Sequence, residues 1–248
     1  MPELYTLTIA GLVFLIAGTV KGIIGMGLPS ISLALLTVAI DLPGAMVLML
    51  IPSFTTNLWQ ALSGGHATTL AVRLWPFFLA ATATIWIGAL AFSQIAAHTL
   101  SGLLGLLLAI YATINLLGYR ITLNTHQQRW GAPLLGAVNG ILTGMTGSFV
   151  VPGVLYLQAI GLSKDMLVQA MGILFTLSTI ALAIALHGNQ LLEKSLVTLS
   201  LISVLPAMIG MTIGQRLRRK LSEQHFRLVF FWSLLLLAIY ILLTASQN

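Results

Sequence analysis

The chain has 248 residues, of which 58% are hydrophobic and 6% charged, and its mean hydropathy is +1.02. So little polar surface excludes a water-soluble globule and makes the chain an integral membrane protein. Its formal net charge of +6 does not point to nucleic acid, because the basic residues stand in short loops between apolar runs, where they orient helices in the membrane.

A spanning helix needs about 20 apolar residues. The apolar runs here are cut by glycine, proline and short polar loops, and they have helix length rather than the alternation of barrel strands. The expected fold class is therefore all-α, a polytopic membrane helical bundle. The N-terminal run lacks the basic flank of a secretory signal and reads as a retained first helix. In the first half, residues 1–118, apolar segments are predicted at Leu4–Val20, Ile31–Ile40, Pro43–Leu62, Leu74–Phe92 and Leu100–Leu117. A polar connector, YRITLNTHQQRWG at residues 119–131, divides the chain. In the second half, residues 132–248, the segments are Pro133–Leu142, Phe149–Ile160, Met166–Leu186, Leu196–Ile213 and Phe226–Thr244. The short early segments of each half have the length of half-helices.

The halves resemble each other. LLLAIYATI at Leu106–Ile114 matches LLLAIYILL at Leu235–Leu243, each closing its half, as expected of a duplicated transporter. Lys and Arg favour cytoplasmic loops, so the cluster RLRRK, Arg216–Lys220, is assigned to the cytoplasm. Counting back with about five segments per half puts Arg73, Arg120, Arg129, Lys164 and Arg227 on the same side, Lys194 outside and both termini outside. Counting four crossings per half moves Arg73, Arg120 and Arg129 outward, against the charge rule. An odd number makes the two repeats inverted.

Each half opens on a glycine-rich break: VKGIIGMGLPS at Val20–Ser30 and VNGILTGMTGS at Val138–Ser148. Gly22, Gly25, Gly27 and Pro29 lower helix propensity and free backbone N–H groups that lipid does not satisfy, so the broken backbone must pack in protein or line a watery cavity. The helix that resumes aims its partially positive N-terminus at that cavity. Lys21 adds a full charge at a depth where an ionisable group costs about 2.5–3.5 kcal/mol on insertion scales. The five acidic residues, Glu3, Asp41, Asp165, Glu193 and Glu223, fall at termini or loops, which leaves a small anionic substrate as the natural partner of Lys21. Asn139, paired with Lys21 by the motif, and Thr143, Thr146 and Ser148 supply neutral donors, with Gly140, Gly144 and Gly147 as the matching glycines. Asn57 and Gln169 complete the predicted pocket.

These stretches resemble the sulfite exporter TauE/SafE family, also called the toluene sulfonate uptake permease family of membrane transporters. The resemblance rests on FLIAGTVKGIIGMGLPSISLALL, on GAVNGILTGMTGSFVVPGVLYLQAIGLSKDMLVQAMGILF and on IGQRLRRKLSEQHFRLVFFWSLLLLAIYILL, in that order. It implies a bacterial inner-membrane secondary carrier of small organic or inorganic anions, often sulfur-containing, such as sulfite, sulfonates or sulfoacetate. The family's glycine motif falls on Gly22, Gly25, Gly27 and on Gly140, Gly144, Gly147. Met26 and Leu28 stand where relatives frequently carry glycine.

Other readings are weighed against this one. Lys21 could snorkel to an interface, and the glycines could serve helix packing alone. An anion channel, or a membrane subunit without transport activity of its own, uses the same break. An intramembrane enzyme needs positioned acids, bases or nucleophiles, which the spans lack. No cysteine is present, and His66, His98, His126, His187 and His225 show no ligand spacing, so no metal or cofactor is expected. Coupling to a proton or sodium and assembly as a homodimer are left open.

Overall fold

The computed structural model describes residues 2–119, 121–218 and 222–247. Among them every regular element is helical. The chain runs through α1 (Pro2–Ile24), α2 (Leu28–Ala39), α3 (Leu42–Leu62), α4 (Ala67–Ala83), α5 (Ile85–Ala89) and a 3-10 turn at Leu90–Ser93. It continues through α6 (Ala97–Leu116), α7 (Thr125–Thr146), a π turn at Val150–Val154 leading into α8 (Leu155–Ala159), α9 (Lys164–Gly188), α10 (Lys194–Ile202), α11 (Val204–Leu217) and α12 (Glu223–Ala245). Among the described residues seven stretches are long and apolar enough to cross a bilayer: α1, α3, α4 with α5, α6, α9, α10 with α11, and α12. Their outward faces carry apolar residues such as Leu12, Ile16, Leu79, Ile184, Leu205 and Leu236, as a lipid-facing surface requires.

Local chemistry sets the helix starts. Asp41 caps α3 by accepting from the Gly44 N–H at 2.6 Å, and Ser163 caps α9 by accepting from Met166 N–H at 3.3 Å. Asn124 opens α7 with a capping box: its side chain accepts from Gln127 N–H, and the Gln127 side chain accepts from Asn124 N–H. The last seven residues of the polar connector, Thr125–Gly131, are therefore helical, and α7 is far longer than the segment Pro133–Leu142 read from hydropathy. The fourth and ninth predicted segments are each divided, at Thr84 and Ser203. Inside α3, Pro52 leaves the carbonyl of Leu48 without its helical donor, and Ser200 of α10 donates to it at 2.8 Å.

The ends of α1, α3, α8 and α11 meet the starts of α4, α9 and α12 at one end of the bundle. Gln60 near the end of α3 donates to Gly25 O, just past α1, and to Val168 O in the first turns of α9. Arg73 of α4 donates to Ile160 O, just past α8, and to Gln128 in the first turn of α7. Arg73, Arg129, Lys164, Arg216, Arg218 and Arg227 all belong to segments at this end, and Lys194 to the other. Arg120, Arg219 and Lys220 lie outside the described residues.

Packing between helices follows the same pattern in the two halves. α1 lies along α11, and α7 along α4 and α5; α3 packs on α9 and α6 on α12; α10 touches α3 as α4 touches α9. Small residues hold the first two of these contacts. A Cβ at Gly22 would stand 2.3 Å from Met211 O, and one at Gly214 2.1 Å from Thr19 O; on the other side, Gly144 approaches Ile85 O and Gly88 approaches Ile141 O equally closely. Gly11 meets nothing within 4 Å. Gly214→Leu is therefore expected to destabilise the bundle by about 1–3 kcal/mol or more through backbone overlap, and Gly11→Leu to leave it unchanged, both read as melting temperature in detergent.

Candidate functional site

The first break spans Gly25–Gly27, where Gly25 at φ +79° and Gly27 at φ +104° turn the chain out of α1 and into α2. Lys21 sits in the last turn of α1, where a cation complements the negative end of the helix dipole. It is 4% exposed. Its ammonium donates to Thr56 Oγ1 at 3.1 Å and to Asn57 Oδ1, both on α3 and both neutral. Thr56 in turn donates to Pro52 O at 2.8 Å, so its lone pairs remain for Lys21.

Lys21, Gly22 and Gly25 line a cavity of about 370 Å³ between α1, α3, α9 and α11. The volume suits a small ligand. Gln60 and Gln169 share its wall and form a crossed clamp: Gln60 holds Gly25 O and Val168 O, while Gln169 donates to Ala61 O at 2.7 Å and accepts from His66 N–H at 2.8 Å. His66, Asp165, Gln215 and Arg218 also line it, and because these residues belong to the cationic end of the bundle, the cavity opens there.

Of the residues singled out by sequence, Lys21, Gly22, Gly25 and Gln169 line this cavity. Asn57 is fully buried behind Lys21 and leaves its Nδ2 without a partner. Gly27 packs under the ring of Phe230 instead. Asn139, Gly140, Thr143, Gly144, Thr146, Gly147 and Ser148 gather around the second break and do not line the cavity. There, Gly147 at φ +71° ends α7; Asn139 Oδ1 accepts from Gly153 N–H at 2.9 Å, Thr143 donates to Ser148 O at 2.9 Å, and Ser148 N–H donates to Thr146 Oγ1 at 3.2 Å. Gly140 and Gly144 lie inside α7 against α4 and α5.

The two breaks share one register. The positive-φ glycines Gly25 and Gly147, the following helix starts Leu28 and Val150, and the starts of α3 and α9 at Leu42 and Lys164 all stand at the same sequence separation. This register sets Thr143, rather than Asn139, opposite Lys21, and Ser178 opposite Thr56. The motif pairing aligned the letters VKG with VNG, one helical turn early; the backbone break fixes the alignment. Sequence reading also passed over Thr56 and Gln60, although both lie on the same face of α3 as Asn57, at i, i+1 and i+4, a spacing open to inspection once Asn57 was suspected.

A polytopic helical bundle with a lysine enclosed in the last turn of its first helix, facing a polar cavity beside a helix break, fits a membrane transporter class. The family model for sulfite exporter TauE/SafE matches residues 10–241, and the chain belongs to that family of membrane transporters. Among curated proteins and among solved structures no match to the chain is found.

Replacing Asn57 by leucine strips the ammonium of one of its two partners. Asn57→Leu is expected to cost about 1–3 kcal/mol of stability, and to cost clearly less when Lys21→Met is already present; equal losses in the two backgrounds, measured by denaturation in a double-mutant cycle, would remove the energetic link between the pair.

Proposed function

We propose that the protein is a secondary carrier that moves a small anion, sulfur-containing and of the sulfite, sulfonate or sulfoacetate class, across the inner membrane by alternating access. The observation that carries this reading is the Lys21 ammonium, enclosed on a cavity wall with only neutral hydrogen-bond partners, Thr56 and Asn57. Two neutral oxygens replace part of the hydration of an ammonium but not a countercharge, and a largely desolvated cation on a cavity wall gains from an ion that brings one. An oxyanion entering the cavity supplies that charge and accepts from the ammonium. Family membership supports the sulfur-anion class.

The matching contact patterns of the two halves support the inverted-repeat reading, since α1 meets α11 as α7 meets α4 and α5. α7 starts at the end of the bundle where α1 stops, so the two breaks lie toward opposite ends. A pair of gates so arranged, one open and one closed, is the geometry in which rocking one bundle against the other exposes a site alternately to each side. By the charge rule the open cavity faces the cytoplasm.

The test is a thermal-shift titration of purified protein with sulfite, thiosulfate, sulfonates and short carboxylates, joined to flux in proteoliposomes. A native-state ligand at 100 times its Kd stabilises by about 2.7 kcal/mol. Stabilisation by a sulfur oxyanion with saturable flux is expected in the unaltered chain. Lys21→Gln should melt near the unaltered protein without ligand yet lose the anion-induced shift, and Lys21→Arg should keep only part of it, because a planar guanidinium does not reproduce the ammonium's geometry. A full anion-induced shift in Lys21→Gln would remove the site assignment.

A further inference from the structure

Three buried polar atoms around the second break are without a hydrogen-bond partner: Asn139 Nδ2, Ser148 Oγ and Ser178 Oγ. All three side chains are at most 2% exposed. Their neighbours are otherwise satisfied. Thr143 is tied to Ser148 O, Thr146 to Leu142 O and Thr179 to Phe175 O. Ser178 does not follow the pattern of Thr176 and Thr179, whose hydroxyls bond to carbonyls four residues earlier in α9. Buried polar groups left unpaired cost about 1–3 kcal/mol each, and besides these three only Thr37, Ser53 and Asn57 carry such atoms among the described residues, so the second break is a candidate place for a further polar partner.

The chemistry of the free atoms selects the ligand. Asn139 Oδ1 is held by Gly153 N–H at 2.9 Å, which fixes the amide so that its free end is an NH2 donor. A cation gains nothing from that group. Serine hydroxyls donate or accept, so the set as a whole fits an acceptor-rich ligand. The break's register supplies the place: Thr143 stands opposite Lys21 and Ser178 opposite Thr56, the two groups that meet in the first repeat. Phe149 of the break and Phe175 of α9, with ring centroids 5.3 Å apart, bring these two stretches together.

We propose that Asn139, Ser148 and Ser178 form a second, uncharged oxyanion station at the second break, closed in the present state and opened toward the end of the bundle opposite the Lys21 cavity when the carrier switches. This rests on the proposed transport function. Lys21 is the charged half of the path and binds the anion tightly; the second station offers donors without charge, from which the anion leaves readily. One lysine in one repeat thereby gives the path a strong and a weak end.

The absence of cysteine from the chain makes the unaltered protein a ready background for the test. Ser148→Cys and Ser178→Cys, made singly, are probed in proteoliposomes with a negatively charged methanethiosulfonate. In the resting protein both cysteines should react slowly. During flux of an alkylsulfonate, which unlike sulfite does not react with the reagent or with the disulfide it forms, the rate should rise at least about five-fold, because the reactive state is then populated, and the attached sulfonate should block further flux. A second arm measures Ser148→Ala/Ser178→Ala, which should keep the anion-induced thermal shift set by Lys21 while its flux falls about ten-fold. Reaction rates unaffected by flux, together with unaltered flux in the double alanine variant, would overturn the second station. If the unaltered chain shows neither an anion-induced shift nor flux, the transport reading fails instead, and the two failures are distinct.

Discussion

An ammonium group inside a lipid-spanning bundle has to be held by something, and the way Lys21 is held organises much of the structure around it. The group is only 4% exposed in the last turn of α1, and α3 supplies Thr56 and Asn57 as its partners. α3 stays in place because α10 satisfies the carbonyl that Pro52 frees and because α9 packs along its length. α1 stays in place because Gly18 and Gly22 let it settle onto the backbone of α11. The charge is thus enclosed by contacts that bind one half of the chain to the other, and each of those contacts is short-range. Short-range contacts of small residues slide or separate with little cost in buried area, which suits the alternating access proposed for the site.

Glycine therefore has two separate duties here. Gly25 and Gly147 take up positive φ where α1 and α7 end and Gly27 where α2 begins, whereas Gly22, Gly140, Gly144 and Gly214 lie within helices and allow backbones to touch. The first duty creates the breaks and the second clamps the helices carrying them. Gly22 combines clamping with a position on the cavity wall, so the packing of α1 on α11 and the shape of the cavity are set by the same residue. Movement of α11 would be felt directly beside Lys21.

The all-helical class, the ten apolar segments and the special standing of Lys21 were legible because hydropathy and an isolated charge are local signals. Segment limits moved where chemistry other than hydropathy governs: Asn124 and Gln127 start α7 inside a polar stretch, and Thr84 and Ser203 divide helices that read as continuous. The site was legible only in part. Lys21, Gly22, Gly25 and Gln169 came together as expected, yet the neutral donors of the second motif lie elsewhere, since sequence similarity between repeats does not say whether matching breaks face one cavity or two. Asp165 was set aside as a loop residue and lines the cavity, because a helix start near in space to the end of α1 is remote from it in sequence.

The asymmetry between the halves is the last consequence of the buried charge. A duplicated membrane protein with a lysine at both breaks would carry two enclosed cations, each costing several kcal/mol to desolvate and repelling the other across a low-dielectric interior. With Thr143 in the place that Lys21 occupies in the first repeat, the helix packing is duplicated while the charge is not. The neutral break closes around hydroxyls and an amide, and the charged break lines a polar cavity in this conformation. In the proposed carrier the Lys21 cation would bias which of the two similar breaks stands open, and an anion that neutralises it would reduce that bias.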